Sequence, residues 1–411
     1  MTSIILTLSR SSATQGGASA RTPAQGVVGY AGPAPSCACV ANGPFWRSYV
    51  SDPAIAVEYR LTTEAKLHAF IARSLTEVGV SKKDAQTVAD VLVAADVRGI
   101  ESHGCARLTK WYVGRIRQGL IDPKAVPAIV RQTTTSLVVD AGNGLGHVAS
   151  TFAMNAVIDK AREHGAAFGT VRNSNHFGIA GYYAMMALPH DMIGIASTNS
   201  TRWGAPTFGR DTMLGTNPLA YAVPAGEEPA FVLDFATTTV PLGRLEVFNR
   251  KGRPLLLGWS VDSEGNPTAD PVAAMTGALL PLGGYGTDFG GHKGYGLGVL
   301  VDILCGVLSG GAFGNDLPRH EESVRGAVAH FFGAFRIDGF RDVAAFKADM
   351  DKELRAFKQS AKAPGQDRIY VAGEIEHEKT IKHRAEGVPV HVKVWEGLEQ
   401  LSRELGIPFT L

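Results

Sequence analysis

Asp140-Ala141-Gly142-Asn143-Gly144-Leu145-Gly146-His147 stands between a strand-like run, Ser136–Asp140, and a helix-like run, Ala149–His164. Its reading decides the fold. A glycine-rich turn from strand to helix is where a doubly wound α/β protein cradles a dinucleotide diphosphate, on the pattern Gly-x-Gly-x-x-Gly. Here the third glycine of that pattern falls on His147, and no acidic residue ends a following strand at the spacing that would hold a ribose. The stretch therefore reads as a glycine-rich turn without the diphosphate fingerprint. No phosphate-binding loop motif occurs either, so any nucleotide is held by a non-Rossmann arrangement.

The segments that follow agree. Ala167–Val171, Met192–Ser197, Leu219–Val223, Phe231–Asp234 and Val328–Phe335 read as short strands broken by Gly, Pro and Asn, with no regular alternation of strand and helix. A mixed or antiparallel sheet is expected rather than a parallel doubly wound one. On the N-terminal side, Thr62 or Thr63 caps a helix carrying Leu67, Phe70, Ile71, Leu75 and Val78, which Gly79 ends. Ser81-Lys82-Lys83-Asp84 opens a second helix with Val88, Val91, Leu92 and Ala95 on one face. A third, from Ala106 to Gln118, sets Arg107, Trp111 and Arg115 on one side. The 149–164 helix is expected to turn Phe152, Ala156 and Ile158 inward. Further on, Tyr295–Leu308 reads as an apolar helix, Val343–Ser360 as an amphipathic one with Phe346, Met350, Leu354 and Phe357 in register, and Trp395–Leu405 as a short closing helix.

Composition narrows the class. The chain has 411 residues, 45% of them hydrophobic, enough for a large core, and a formal charge of +1, which gives no bulk attraction to nucleic acid or to an anionic membrane. With no run near the ~18 apolar residues a bilayer span needs, a soluble protein is expected. Cys37, Cys39, Cys105 and Cys305 form neither a disulfide framework nor a metal-ligand pattern. Histidine pairs of the zinc-hydrolase kind and a Gly-x-Ser-x-Gly elbow are missing too. From Met1 to Ser51 there is no Asp or Glu, while Arg10, Arg21 and Arg47 stand among Ser, Thr, Ala and Gly. Residues 1–56 thus read as an extension with the composition of a transit peptide, or as a disordered tail, and the location as mitochondrial or cytoplasmic.

Two histidines carry the candidate chemistry. His103 follows a helix end in Glu101-Ser102-His103-Gly104, and His176 lies in Arg172-Asn173-Ser174-Asn175-His176-Phe177-Gly178. An imidazole titrates near neutral pH and serves as general acid or base, whereas a charged helix cap and a buried turn histidine are the plain alternatives. Arg107, one helical turn beyond His103, suits a bidentate carboxylate contact. His292-Lys293, before the apolar helix, suits phosphate or ribose.

These motifs resemble the malate/L-lactate dehydrogenase family. The likeness is carried by Asp96-x-Arg98-Gly99-x-x-Ser102-His103-Gly104-x-x-Arg107-x-x-x-x-Tyr112 and by Ser174-Asn175-His176-Phe177-Gly178-x-Ala180-Gly181-Tyr182-Tyr183. Thr198-Asn199-Ser200, Gly215-Thr216-Asn217-Pro218, Asp234-Phe235-Ala236-Thr237 and Lys293-Gly294-Tyr295-Gly296 extend it over roughly residues 58 to 410. The resemblance implies NAD- or NADP-dependent hydride transfer to a 2-oxo acid or from a 2-hydroxy acid, with malate or lactate foremost. A cyclic imino-acid reductase is the alternative, and a catalytically dead binding relative stands further off. It also implies a homodimer and an α/β fold whose non-Rossmann nucleotide-binding sheet (136–335) joins helical parts from the N- and C-terminal segments (57–135 and 336–411) in one catalytic unit, 57–411. By motif, His103 or His176 moves the proton, while Ser102, Arg107 and Tyr112 hold the substrate. Ser200, Asp234, Phe235, Ala236, Lys293, Gly373 and Glu374 contact the cofactor, and no metal is involved. Two departures stand out. Thr238–Arg244 differs from the family's usual Ser-x-x-Ala-x-Gly-Lys, and Gly284–Gly291 is longer than usual.

Overall fold

The computed structural model describes residues 58–250, 252–319 and 325–411, all within one unit, Pro53–Leu411. The extension 1–56, with its targeting reading and with Cys37 and Cys39, lies outside the described residues. Strand β1 (Tyr59–Thr62) leads into α1 (Glu64–Glu77) and α2 (Lys82–Val97). Their caps are the expected ones: Thr63 accepts the Lys66 N–H at 3.2 Å and Ser81 that of Asp84 at 3.1 Å. Gly79 ends α1 at φ 94°.

The third helix departs from a plain α-helix. It starts as 3-10 turns at Glu101–His103 and Cys105–Arg107, widens to a π-helix at Leu108–Gly114, and closes with α3 (Arg115–Arg117). Periodicity reports which side a residue takes, not whether its carbonyl bonds four or five residues on. Such π-turns gather at functional sites.

Beyond it come β2 (Ala128–Gln132), β3 (Ser136–Asp140), α4 (Gly146–His164), β4 (Ala166–Ser174), α5 (Ala180–Met185) and β5 (Met192–Thr198). Then follow β6 (Leu219–Val223), β7 (Phe231–Phe235), α6 (Leu242–Arg250), β8 (Ser260–Val261), α7 (Pro271–Thr276), β9 (Ala278–Leu279) and α8 (Gly291–Asp302), which runs on as a π-turn over Ile303–Val307. The chain ends with β10 (Val328–Arg336), α9 (Val343–Gln359), α10 (Glu374–Glu386), β11 (Val388–His391) and α11 (Val392–Leu405).

The main sheet has seven strands in the order β2-β3-β4-β10-β5-β6-β7. Only β3 and β4 run parallel and every other neighbouring pair is antiparallel, so the sheet is mixed, as the broken strands foretold. Late in sequence, β10 inserts between β4 and β5, setting Phe332 opposite Gly169 and Ala196. Its register against β4 slips between Val328 and His330, where Ser174 and Val171 are the partners. This bulge re-aims β4 as it runs into Asn175–His176.

Two apolar layers form around this frame. α4 and α5 pack on the sheet through Ala153, Met154, Val157, Tyr183 and Phe332. Two inward expectations on α4 need correcting: Phe152 is 38% exposed and Ala156 only partly buried, because the buried face of the helix runs through Ala149, Ala153 and Val157, one residue round from Phe152 and Ala156. On α9, Leu354 is buried but Phe357 is 54% exposed. A second core joins both ends of the described chain: Leu67, Ile71, Leu75 and Leu92 from α1 and α2 meet Val390, Trp395, Leu398 and Leu401. Each such buried aliphatic contributes about 1.5–3 kcal/mol. No helix among the described residues is long and apolar enough to cross a membrane.

Candidate active site

The glycine-rich turn serves the site without lining it. A Cβ on Gly146 would stand 2.1 Å from the Asn175 carbonyl oxygen and 2.6 Å from that of His176, so the first turn of α4 lies directly against the His176 loop. Asn175 Nδ2 donates back to the Gly144 carbonyl at 2.9 Å. Asp140 accepts from Gly142 N–H, Arg172 Nε and Asn173 Nδ2 at 3.0, 3.2 and 2.8 Å. What resembled a dinucleotide fingerprint is a buttress for the histidine loop.

The His103 turn is pinned from beneath. Asp96, 4% exposed in the last turn of α2, accepts the Cys105 N–H at 2.7 Å. A Cβ on Gly104 would meet its carboxylate at 2.0 Å, which explains the glycine beside His103. Burial pushes Asp96 up to about 7, although its bonds with Cys105 favour the charged form. Ser102 Oγ bonds His103 Nδ1 at 2.8 Å, leaving Nε2 for a ligand. Arg107 Nε donates to the Ser102 carbonyl at 2.6 Å, with its guanidinium 4.5 Å from the Trp111 ring centre.

His176 meets this turn face to face, its ring centre 5.5 Å from that of His103 with 23° between planes. Its Nδ1 is 2.7 Å from the hydroxyl of Tyr112, which is fully buried, and takes the Gly178 N–H at 3.3 Å. Burial, with Arg107 adding to it, pushes His103 down to about 4. His176 is held well below its ordinary value by burial first, then by His103 and Arg107. Both imidazoles are therefore neutral near pH 7, and the stacked pair resists taking two protons.

Two adjoining cavities meet at this pair. The smaller, about 750 Å³, is walled by His103, Trp111, Arg115, Asn175, His176 and Ser200, among others. The larger, a cleft of about 1400 Å³, runs past Arg98, Gly181, Asp234, Phe235, Ala236 and Gly373 to Glu376. His103, Gly178, Thr216 and Pro218 line both, so the imidazole of His103 stands at the junction. In the cleft, Asp234 accepts the Gly181 N–H at 2.7 Å; burial pushes it up to about 6, against that bond and Arg98. Length, small wall residues and a fixed carboxylate suit an extended dinucleotide with ribose hydroxyls.

The expected residues divide. His103, His176, Ser102, Asp234, Phe235, Ala236 and Gly373 line the two cavities; Ser200 lines the smaller one, accepting the Thr216 N–H at 3.1 Å. Tyr112 sits behind His176, and Arg107 braces the Ser102 turn beside the pocket. Glu374 is buried and pairs with Arg368 at 2.7 Å and Lys358 at 3.4 Å. Lys293 and His292 are exposed on the first turn of α8 and line neither cavity. Arg115, Asn175, Arg98 and Glu376 were not among the candidates. The signal for Arg115 was its place on the Arg107–Trp111 side, and for Arg98 its place in the Asp-x-Arg-Gly motif. Among the described residues no cluster of His, Cys, Asp and Glu could hold a metal ion.

Comparison with known proteins places the chain beside a set of dehydrogenases. A family model described as malate/L-lactate dehydrogenase matches residues 62–399. The malate dehydrogenase of Pyrococcus abyssi is 42% identical over 367 residues, covering 88% of this chain and 98% of that one. The L-sulfolactate dehydrogenase of Methanocaldococcus jannaschii is 36% identical over 334 residues, 81% of this chain and 94% of its own. The crystal structure of malate dehydrogenase from Entamoeba histolytica superposes with a TM-score of 0.82 at 36% identity, covering 86% of this chain and 100% of that one.

Proposed function

The chain belongs to the malate/L-lactate dehydrogenase family, a family of pyridine-nucleotide-dependent 2-hydroxyacid dehydrogenases, and from that premise we propose that it interconverts malate and oxaloacetate. One observation carries the reading: the two cavities share His103, so a nicotinamide ring in the cleft and a 2-oxo acid in the pocket meet at a proton carrier. The bound cofactor supplies or takes the hydride at the substrate's C2. The chain's own groups do the rest. His103 and His176, each with Nδ1 engaged, present Nε2 to the C2 oxygen and hold or release its proton. Neutral near pH 7, the pair is ready as base for alcohol oxidation; a substrate carboxylate nearby raises its basicity for the reverse direction. Arg115, on the pocket wall, is the cation suited to a substrate carboxylate. Arg107, beside the pocket, adds the positive charge that favours the second carboxylate of a C4 acid. The hold on the carboxylate fixes which carbon faces the hydride.

Finer points rest on the same surfaces. NAD is the cofactor we favour over NADP, because Asp234 and Glu376 stand in the cleft against the single guanidinium of Arg98, and a 2′-phosphate would meet that acidic wall. A homodimer is supported by the apolar stripe of Leu300, Ile303 and Val307, 47%, 47% and 48% exposed. Residues 57–411 act as one catalytic unit in the helical, sheet and helical parts given above. A mitochondrial address is tested by whether the mature protein lacks roughly the first fifty residues.

The mechanism is tested with His103→Ala and His176→Ala. At least one loses turnover by about 10²- to 10⁴-fold while NADH binding persists. Full turnover in both variants overturns it.

A further inference from the structure

Among the described residues His330 is the histidine that ties three pieces of the site together, and nothing in the reaction calls on it. It lies on β10, the central strand, at 0% exposure. In the register of β10 it faces Val171 on β4 and Thr198 on β5. Its Nδ1 is 2.8 Å from Thr198 Oγ1 and its Nε2 2.8 Å from Ser174 Oγ. The Thr198 hydroxyl donates to the carbonyls of Asn199 and Ala329 at 2.8 and 3.1 Å, so its oxygen accepts from Nδ1–H. Nε2 is then the acceptor for the Ser174 hydroxyl. The flat of the ring lies on Phe177, 4.5 Å between centres and 2° between planes.

Consider what these contacts flank. Ser174 and Phe177 bracket Asn175–His176. Thr198 leads into Asn199–Ser200, the opposite wall of the small pocket. The β4 bulge that re-aims this segment falls beside His330, where the strand ladder by itself fixes the backbone least. We propose that His330 is a positioning residue for the hydride-transfer reaction, setting His176 and the Thr198–Ser200 wall in register with each other. The inference rests on the reading of His176 as part of the proton-transfer pair. Burial pushes His330 down to about 3, which keeps it neutral and its one-donor, one-acceptor pattern intact across the working pH range.

The test compares His330→Leu with His330→Gln, which restores one donor and one acceptor, and with His176→Gln as a control. Turnover of NADH with oxaloacetate, oxaloacetate KM, NADH affinity by fluorescence and melting temperature are read for each. The expected result for His330→Leu is a kcat per folded site lower by about 10- to 100-fold with NADH affinity unchanged, as a displacement near 1 Å at a reacting group implies. His330→Gln recovers much of that kcat. Should His330→Leu not fold, Ser174→Ala combined with Thr198→Val removes the same bonds and gives the same split. Parental kcat and KM in His330→Leu overturn the proposal, as does a loss that tracks melting temperature and NADH affinity with no rescue by Gln. If His176→Gln also turns over like the parent, the reading of His176 falls and the proposal with it. If only His176→Gln is inactive, the reading stands and the proposal alone falls.

Discussion

Replacing Gly146 with alanine inverts the usual effect of such a change. Where a helical glycine has room, alanine stabilises by about 0.5–1 kcal/mol, because it restricts the unfolded chain more than the folded one. At Gly146 the new methyl would lie 2.1 Å from the Asn175 oxygen, 2.6 Å from the His176 oxygen and 2.8 Å from the His176 carbonyl carbon. These are backbone atoms, so no side chain can swing away. To restore a contact of about 3.0 Å, α4 or the His176 loop must move by nearly an ångström, at an overpacking cost of about 1–3 kcal/mol. If the loop yields, His176 leaves its place over His103 and kcat falls by about 100-fold. Gly397→Ala in α11 is the matched control, since nothing lies within 4 Å of its added Cβ. Urea denaturation and steady-state kinetics on the two variants are the assay. Gly146→Ala with parental or higher stability and parental kcat, beside a stabilised Gly397→Ala, would refute the buttress.

The remaining expectations concern charge. His147 and His330 are fully buried and pushed to about 3, and His103 to about 4. The unfolded chain, with histidines near 6.5, binds more protons than the folded one between those values, so these groups lose stability as pH falls below about 6.5. Asp96 and Asp234, raised to about 7 and about 6, act in the opposite sense over the same range. The histidines are the more numerous, and His176 adds to them, so denaturation free energy should be lower at pH 4.5 than at pH 6 by about 2 kcal/mol; a rise on acidification contradicts this. Asp96→Asn keeps an acceptor for the Cys105 N–H and should retain most of the turnover, whereas Asp96→Ala leaves that buried donor unpaired and should lose about 1–3 kcal/mol of stability along with most activity. Equal behaviour of the two variants would show that the pin on the His103 turn is not what Asp96 provides. Glu376→Gln should narrow the preference for NADH over NADPH in kcat/KM; an unchanged ratio removes the acidic-wall argument.

How much was legible in the sequence follows from what each signal measures. Apolar spacing and capping residues located α1 and α2, since both report local geometry. The lack of strand–helix alternation pointed to the mixed sheet, but the purpose of Gly146 stayed hidden, because the carbonyls of Asn175 and His176 that it admits come from another segment. The insertion of β10 between β4 and β5 was equally invisible. It rests on pairings more than 130 residues apart in sequence, and with it went any sight of His330 beneath the site. His103 and His176 were singled out because short polar motifs mark close approach to a ligand, and the structure brings the two rings together. Lys293 was named on its place before a helix, yet it is exposed there and lines neither cavity. Phe152 was placed inward as a large apolar residue, but the buried face of α4 lies one residue round, through Ala149, Ala153 and Val157.

The most direct test of the central claim is the fall in NADH absorbance when purified protein meets oxaloacetate, pyruvate, sulfopyruvate, 2,3-diketogulonate and a cyclic imino acid in separate cuvettes, with NADPH run in parallel. Fastest oxidation of NADH by oxaloacetate, well ahead of pyruvate, is the result that two guanidinium groups beside a stacked histidine pair predict. Turnover with the imino acid alone, or NADH binding with no turnover of any oxo acid, would contradict it.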